Sequence, residues 1–237
     1  MKLKRYLTAL RRYRRSKGFG IHSPFAFRFV LNVLRERLPY YAYEDIAEIR
    51  QIAIDCTHKF WRHQRIISYK NAKLIFRVTN HFNPSAVLQI GTSYGVSCAC
   101  SLLVSKELEL YLCEASIEQY PVTQQILSRF NNTIHKFRSF GEGIKAYRET
   151  SAGQNEPFLL INDIKKEEYS EILSYLYEIR NNKGVLIFRN ISRNDTMHSL
   201  WEACRNAAPT GMTFSNGKIA VIVSSPKLPH QNFSLWF

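Results

Sequence analysis

Residues 86–116 read AVLQIGTSYGVSCACSLLVSKELELYLCEAS. A short apolar run (Val87, Leu88, Ile90) ends in Gly91-Thr92-Ser93-Tyr94-Gly95. A helical apolar pattern follows, then a second short strand, Glu109–Cys113, closing on the acid Glu114. Strand, glycine turn, helix, strand, acid is the order in which a parallel α/β sheet builds a nucleotide site. The glycines let backbone approach a ligand, the helix start offers free N–H groups, and the acid can accept ribose hydroxyls. The spacing is G-x-x-x-G followed by Ser97, which departs from the dinucleotide pattern G-x-G-x-x-G.

Outward from this unit, strands and helices alternate. Further strands are predicted at 134–137, 158–161 and 184–188, and helices over 117–131, after Gly141, over 166–181 and over 193–207. Two last strands, 212–215 and 218–223, flank Asn216-Gly217, a strong hairpin signal. The first 80 or so residues are helical in pattern. Ser23-Pro24 opens a helix whose stripe is Phe29, Val30, Val33, Leu34 and Leu38, and further helices are predicted over 43–56 and 58–82. The expected architecture is an α/β, Rossmann-like, doubly wound and mostly parallel seven-stranded sheet with a C-terminal antiparallel hairpin. The expected divisions are a basic helical extension over 1–82, the sheet domain over 83–225 and a tail over 226–237.

Gly91-Thr92-Ser93-Tyr94-Gly95-Val96-Ser97 resembles motif I of the class I S-adenosylmethionine-dependent methyltransferases, especially the catechol- and caffeoyl-CoA-type small-molecule O-methyltransferases. The terminal hairpin is characteristic of that family's sheet. The resemblance implies S-adenosylmethionine as cofactor, with Gly91 and Gly95 as the loop glycines and the Thr92–Tyr94 backbone around the methionine portion. It also implies that Ser97 opens the next helix and that Glu114 takes the ribose hydroxyls. Gln89 stands where the family places an acid that contacts the methionine amino group. Glutamine can accept a hydrogen bond there but cannot pair with an ammonium charge. Phe140, after the third strand, could stack on adenine or pack in the core.

In the same family a divalent metal chelates the acceptor oxygens, held by an Asp after strand four and an Asp-Asn pair after strand five, with a nearby lysine handling the proton. This chain reads Asn162-Asp163-Ile164-Lys165 and Arg189-Asn190 at those points. Lys165 and Asn190 match, whereas Asn162 and Arg189 replace the metal-binding aspartates. A hard cation needs anionic oxygen ligands, so no catalytic metal is expected. One reading makes Arg189 a fixed positive charge that holds the acceptor oxygen, with Lys165 and Asn190 completing the catalytic end and Asn162 beside the cofactor. Another leaves a non-catalytic binding or scaffold module.

Apolar residues make up 45% of the 237 residues, enough for a globular core, and no apolar run approaches a membrane span. The five cysteines (Cys56, Cys98, Cys100, Cys113, Cys204) lack C-x-x-C spacing and no apolar leader follows the charged start, which sets the expectation of a reducing cytoplasm. Cys98 and Cys100, two apart on a helix, point to different faces. Net charge is +14, with eight Lys or Arg in the first 17 residues and no acid before Glu36. Leu3, Tyr6, Leu7, Leu10 and Tyr13 recur at helical spacing in this arm. It could meet RNA phosphates or an anionic membrane, pack on its own domain, or support a homodimer. In Gly18-Phe-Gly-Ile-His22-Ser-Pro-Phe25, His22 could reach the substrate pocket or hydrogen-bond its own turn. The expected function is metal-independent O-methylation of a small-molecule acceptor, with an RNA methyltransferase using the basic arm as a further alternative.

Overall fold

The computed structural model describes residues 10, 12–14, 16–58, 66–114, 116, 119–193, 195–207 and 209–237. Eight strands form one sheet: β1 Ala86–Ile90, β2 Glu109–Cys113, β3 Ile134–Phe137, β4 Phe158–Ile161, β5 Gly184–Arg189, β6 Met212–Ser215, β7 Ile219–Ser224 and β8 Gln231–Ser234. Their order is β3-β2-β1-β4-β5-β7-β6-β8. Only β7 runs against the rest, pairing β5 from Gly184↔Ser224 to Arg189↔Ile219 and β6 from Met212↔Val223 to Ser215↔Ala220. Strands β1 and β4 are buried throughout, as their continuous apolar runs require in a sheet covered on both faces.

The sheet has eight strands where seven are expected. The eighth lies in the stretch read as a tail and runs parallel to β6, from Met212↔Gln231 to Ser215↔Ser234. Beyond it Leu235 is fully buried and Phe237 nearly so. The β6–β7 turn closes on Asn216 and Ile219, whose backbones share a hydrogen bond. Its central pair is therefore Gly217-Lys218, with Gly217 at φ +87°. Glycine at the first central position is what one of the two favoured hairpin turns demands.

One face of the sheet is covered by helices Ala42–His58, Tyr69–Phe82, Val96–Leu102 and Tyr120–Leu127. Ile46, Ile49, Ile75 and Val78 from this layer share a core with Val87, Leu110, Leu160 and Val185 of the sheet. The other face is covered by helices Phe140–Arg148, Tyr169–Ile179 and Asp195–Ala207, around Leu88, Ile161, Phe188 and Trp201. Phe140 lies in this second core, which fixes its packing role.

Ser23 caps helix Pro24–Phe29, accepting from the Ala26 N–H, with Pro24 in the first turn. The chain then passes into a π-helical turn, Val30–Leu34, so Leu38 falls outside the stripe and is exposed. Arg77 explains how that turn ends inside the protein. Its guanidinium donates to the Val33 and Leu34 carbonyls at 2.7 and 3.0 Å, filling acceptors that a helix end leaves open. The helix predicted over 58–82 begins at Tyr69, capped by Ser68, and residues 59–65 lie outside the described residues. Most of the basic arm also lies outside them; Leu10 and Tyr13 are exposed. Among the described residues no helix is long and apolar enough to cross a membrane.

Candidate functional site

The C-terminal ends of β2, β1, β4 and β5 align, with Ile90 opposite both Cys113 and Ile161, and Ile161 opposite Phe188. Gly91, Glu114, Asn162 and Arg189 therefore meet along one edge, at the β1/β4 switch where chain connections diverge to opposite sides. Ligands of open α/β sheets bind in such a crevice.

The loop after β1 carries four residues in the left-handed region: Gly91 (φ +72°), Ser93 (+51°), Tyr94 (+60°) and Gly95 (+82°). Two of these are not glycine, and such backbone persists only where surroundings hold it. Glu114 supplies much of that hold. Its Oε2 accepts from the Thr92 N–H at 2.9 Å and the Thr92 hydroxyl at 2.5 Å, and its Oε1 from the Ser116 N–H at 2.6 Å. Gln119 Oε1 accepts from the Tyr94 N–H at 3.1 Å, and Ser93 Oγ from the Ile67 N–H at 3.3 Å. Gln119 carries no spacing signal in the sequence; only the fold brings it to the loop.

Beneath the loop lies a buried polar cluster. Gln89, fully buried, donates to Gly91 O at 3.0 Å and to Ser97 Oγ at 2.8 Å. Ser97 donates onward to Thr92 O at 2.7 Å. Both residues shape the loop from inside and neither lines a cavity at this edge. Asn162 faces both ways. Its amide N–H groups meet Gly91 O at 2.6 Å and Ser97 Oγ at 3.1 Å, and its Oδ1 accepts from Arg189 Nη1 at 2.6 Å. An aspartate at 162 would set a carboxylate against the Gly91 carbonyl, so the asparagine suits this loop.

Arg189, the last residue of β5, is only 5% exposed. Among the described residues the hydrogen-bond partner of its guanidinium is the neutral Asn162 Oδ1. Burial lowers its pKa to about 10, with the Arg193 charge acting in the same direction and Cys100 and Asp163 opposing. Asn190 follows at φ +57° and donates to Asn162 O at 2.9 Å. Arg189, Asn190 and Asn162 line a cavity of about 150 Å³ with the Gly91–Tyr94 loop, Gln119, Asp163 and Arg193. Asp163 is engaged by Arg193 at 3.5 Å and by the Ile164 N–H at 3.1 Å. Lys165 is exposed and does not line the cavity; its backbone N–H bonds Glu168 at the start of the turn Lys166–Glu168.

A second cavity, about 100 Å³, lies at the β2 and β3 ends, lined by Glu114, Tyr120, Thr123, Gln124, Phe137 and Arg138 among others. A larger one, about 590 Å³, sits at the opposite edge, lined by Phe25, Pro84, Phe158 and Gly184 at the starts of β4 and β5 and by Ser224 at the end of β7. His22 belongs to that end: the adjacent Ser23 hydroxyl meets Met212 Sδ at 3.8 Å, at the start of β6. It is exposed and remote from the loop, so it does not reach the candidate pocket.

The donor set at the β4 and β5 ends does not fit a hard divalent cation. Among the described residues the carboxylate there, Asp163, is paired with Arg193, and the rest of the set is two neutral amides and the Arg189 guanidinium, where several carboxylates would be needed. Among the described residues no group of three His, Cys, Asp or Glu is arranged to hold a metal.

No protein-family model matches the sequence, and no curated protein matches it. Solved structures do resemble it. An O-methyltransferase from Bacillus cereus in complex with SAH superposes with a TM-score of 0.56 at 16% identity, over 82% of this chain and 96% of that one. The O-methyltransferase TomG from Streptomyces achromogenes, involved in tomaymycin synthesis and solved with SAM, gives 0.54 at 11%, over 92% and 99%. A methyltransferase from Geobacter sulfurreducens gives 0.53 at 13%, over 81% and 95%. From its strand order through its glycine loop, the chain has the fold of the class I S-adenosylmethionine-dependent O-methyltransferases.

Proposed function

We propose that this chain is an S-adenosylmethionine-dependent methyltransferase that modifies an oxygen of a small-molecule acceptor without a metal ion. The observation that carries the reading is the left-handed Gly91–Gly95 loop at the β1/β4 switch, with one cavity toward Arg189 and another toward Phe137. An elongated nucleoside ligand lying across the loop suits that pair. The structural likeness to SAH- and SAM-bound O-methyltransferases supports it.

When bound, S-adenosylmethionine supplies an electrophilic methyl group on a sulfonium. The protein's part is positioning and charge. The Thr92–Tyr94 backbone takes the methionine portion, and Gln89, Ser97 and Asn162 hold that backbone in shape from below. Glu114 is assigned the ribose. Among the described residues three donors meet its carboxylate, two at Oε2 and one at Oε1. Phe137 and Arg138 wall the base end. Arg189 holds the acceptor oxygen, with Asn190 fixing the strand end beside it. Lys165, off the cavity wall, takes no part.

Calorimetry with S-adenosylhomocysteine tests the reading. Micromolar-range binding is expected, weakened at least tenfold by Glu114→Gln, and turnover in EDTA is expected to equal turnover in Mg²⁺. No binding by the unmodified protein overturns the proposal.

A further inference from the structure

Arg189 is a buried cation whose guanidinium, among the described residues, has a neutral amide as its hydrogen-bond partner. Buried charges are ordinarily paired, because desolvation without compensation is expensive. Arg77 shows another solution in this same protein, each of its three guanidinium nitrogens donating to a neutral oxygen: two carbonyls and the Tyr43 hydroxyl. Arg189 has no such set and lines a cavity instead, with Arg193 on the same wall. Among the described residues the carboxylate on that wall is Asp163, whose charge favours the guanidinium through space while its oxygens bond Arg193 and a backbone N–H. The guanidinium donors that face the cavity therefore point to an anionic ligand.

Among the described residues the carboxylate at the cavity, Asp163, is held by Arg193 and a backbone N–H. Lys165 is exposed outside the cavity, Tyr94 carries a phenol, and no ligand set for a metal is present among the described residues. An acceptor oxygen that arrives already ionised needs no base at all. We infer that the acceptor is a small carboxylic acid, bound as its anion by Arg189 and converted to a methyl ester. The inference rests on the methyltransferase reading above. In the step it describes, a carboxylate lone pair forms the new O–CH3 bond. The S–CH3 bond of the sulfonium breaks with its electron pair returning to sulfur, leaving a thioether and a neutral ester. No proton moves, so no base is required. The charge on Arg189 then loses its partner, which favours release of the ester.

Benzoate and its neutral counterpart benzyl alcohol are suitable probes, titrated by calorimetry with and without S-adenosylhomocysteine. Benzoate is expected to bind at least tenfold more tightly than benzyl alcohol, with affinity flat from pH 6 to 9. Arg189→Met should abolish that preference, keep S-adenosylhomocysteine binding and raise the melting temperature, because it removes a buried charge. Arg189→Lys, which keeps the charge but not the fork, should retain part of the preference and serves if the methionine variant fails to fold. Equal binding of the two probes, or benzoate affinity unchanged in Arg189→Met, overturns the inference while leaving the cofactor reading intact. Arg189-dependent benzoate binding without S-adenosylhomocysteine binding sinks the methyltransferase reading and keeps the anion site; binding of neither sinks both.

Discussion

Gly95 does two jobs that a side chain would spoil. Its φ of +82° is strained for any L-residue, and a Cβ there would stand 3.1 Å from Thr123 Cα and 3.2 Å from Ile126 Cβ. Helix Tyr120–Leu127 thus packs directly on the loop. Gly95→Ala is expected to cost about 1–3 kcal/mol, from left-handed strain plus displaced helix packing, measurable by urea unfolding. Gly95 was legible because a left-handed turn pressed against a helix leaves no room for Cβ. Side-chain direction was not. Gln89 reads as a ligand contact by its place at a strand end, yet its amide turns under the loop to Ser97. Lys165 matches by spacing, yet the turn that begins there leaves it exposed. Sequence order assigns a residue to the edge of a sheet; the local turn decides whether it faces the cleft.

At the level of an element, helix Val96–Leu102 is buried on every side, all seven residues included. Cys98 and Cys100 were expected on different faces, and both are buried because helix layers and sheet enclose the whole element. Burial pushes the thiols of Cys100, Cys113 and Cys204 up to about 12, from an ordinary value of 9.0. The sign follows from proton binding. Between those values the unfolded chain sheds thiol protons and the folded chain keeps them, so this stability is present below about pH 9 and is lost as pH rises toward 12. Arg189 acts oppositely, but only above about pH 10, where its folded form begins to deprotonate before its unfolded form. Stability is therefore expected to fall between pH 9 and 10 by up to about 1 kcal/mol per thiol. Thermal melts in reductant at pH 8, 9 and 10 should show it, and Cys204→Ala should make the slope shallower. A slope unchanged by that substitution would assign the alkaline loss to other groups.

Across the whole molecule, the order of strands was readable because apolar runs alternate with helical patterns and Asn216-Gly217 marks the final reversal. The eighth strand was not. Gln231-Asn232-Phe233-Ser234 is short, mostly polar and half exposed, as an edge strand can be, and its burial depends on partners distant in sequence. Those partners join the two ends of the chain. Ser16 Oγ accepts from the Trp236 N–H at 2.5 Å, Arg12 donates to Ser234 at 2.8 Å, and Asn216 donates to the Phe237 carbonyl at 3.0 Å. Leu235, fully buried, anchors this closure. Leu235→Ala should therefore destabilise the protein by about 2–5 kcal/mol through lost burial and a residual cavity. Ending the chain at Ser225 should do more, since it also uncovers the hydrogen-bonding edge of β6 and invites association between copies. The candidate site lies on β1, β4 and β5, with β7 and β6 between it and this edge. At temperatures where Leu235→Ala remains folded, S-adenosylhomocysteine affinity should match that of the unmodified chain, while the melting temperature falls. A parallel loss of affinity would mean that the closure of the termini also sets the shape of the Arg189 cavity, across the intervening β7 and β6.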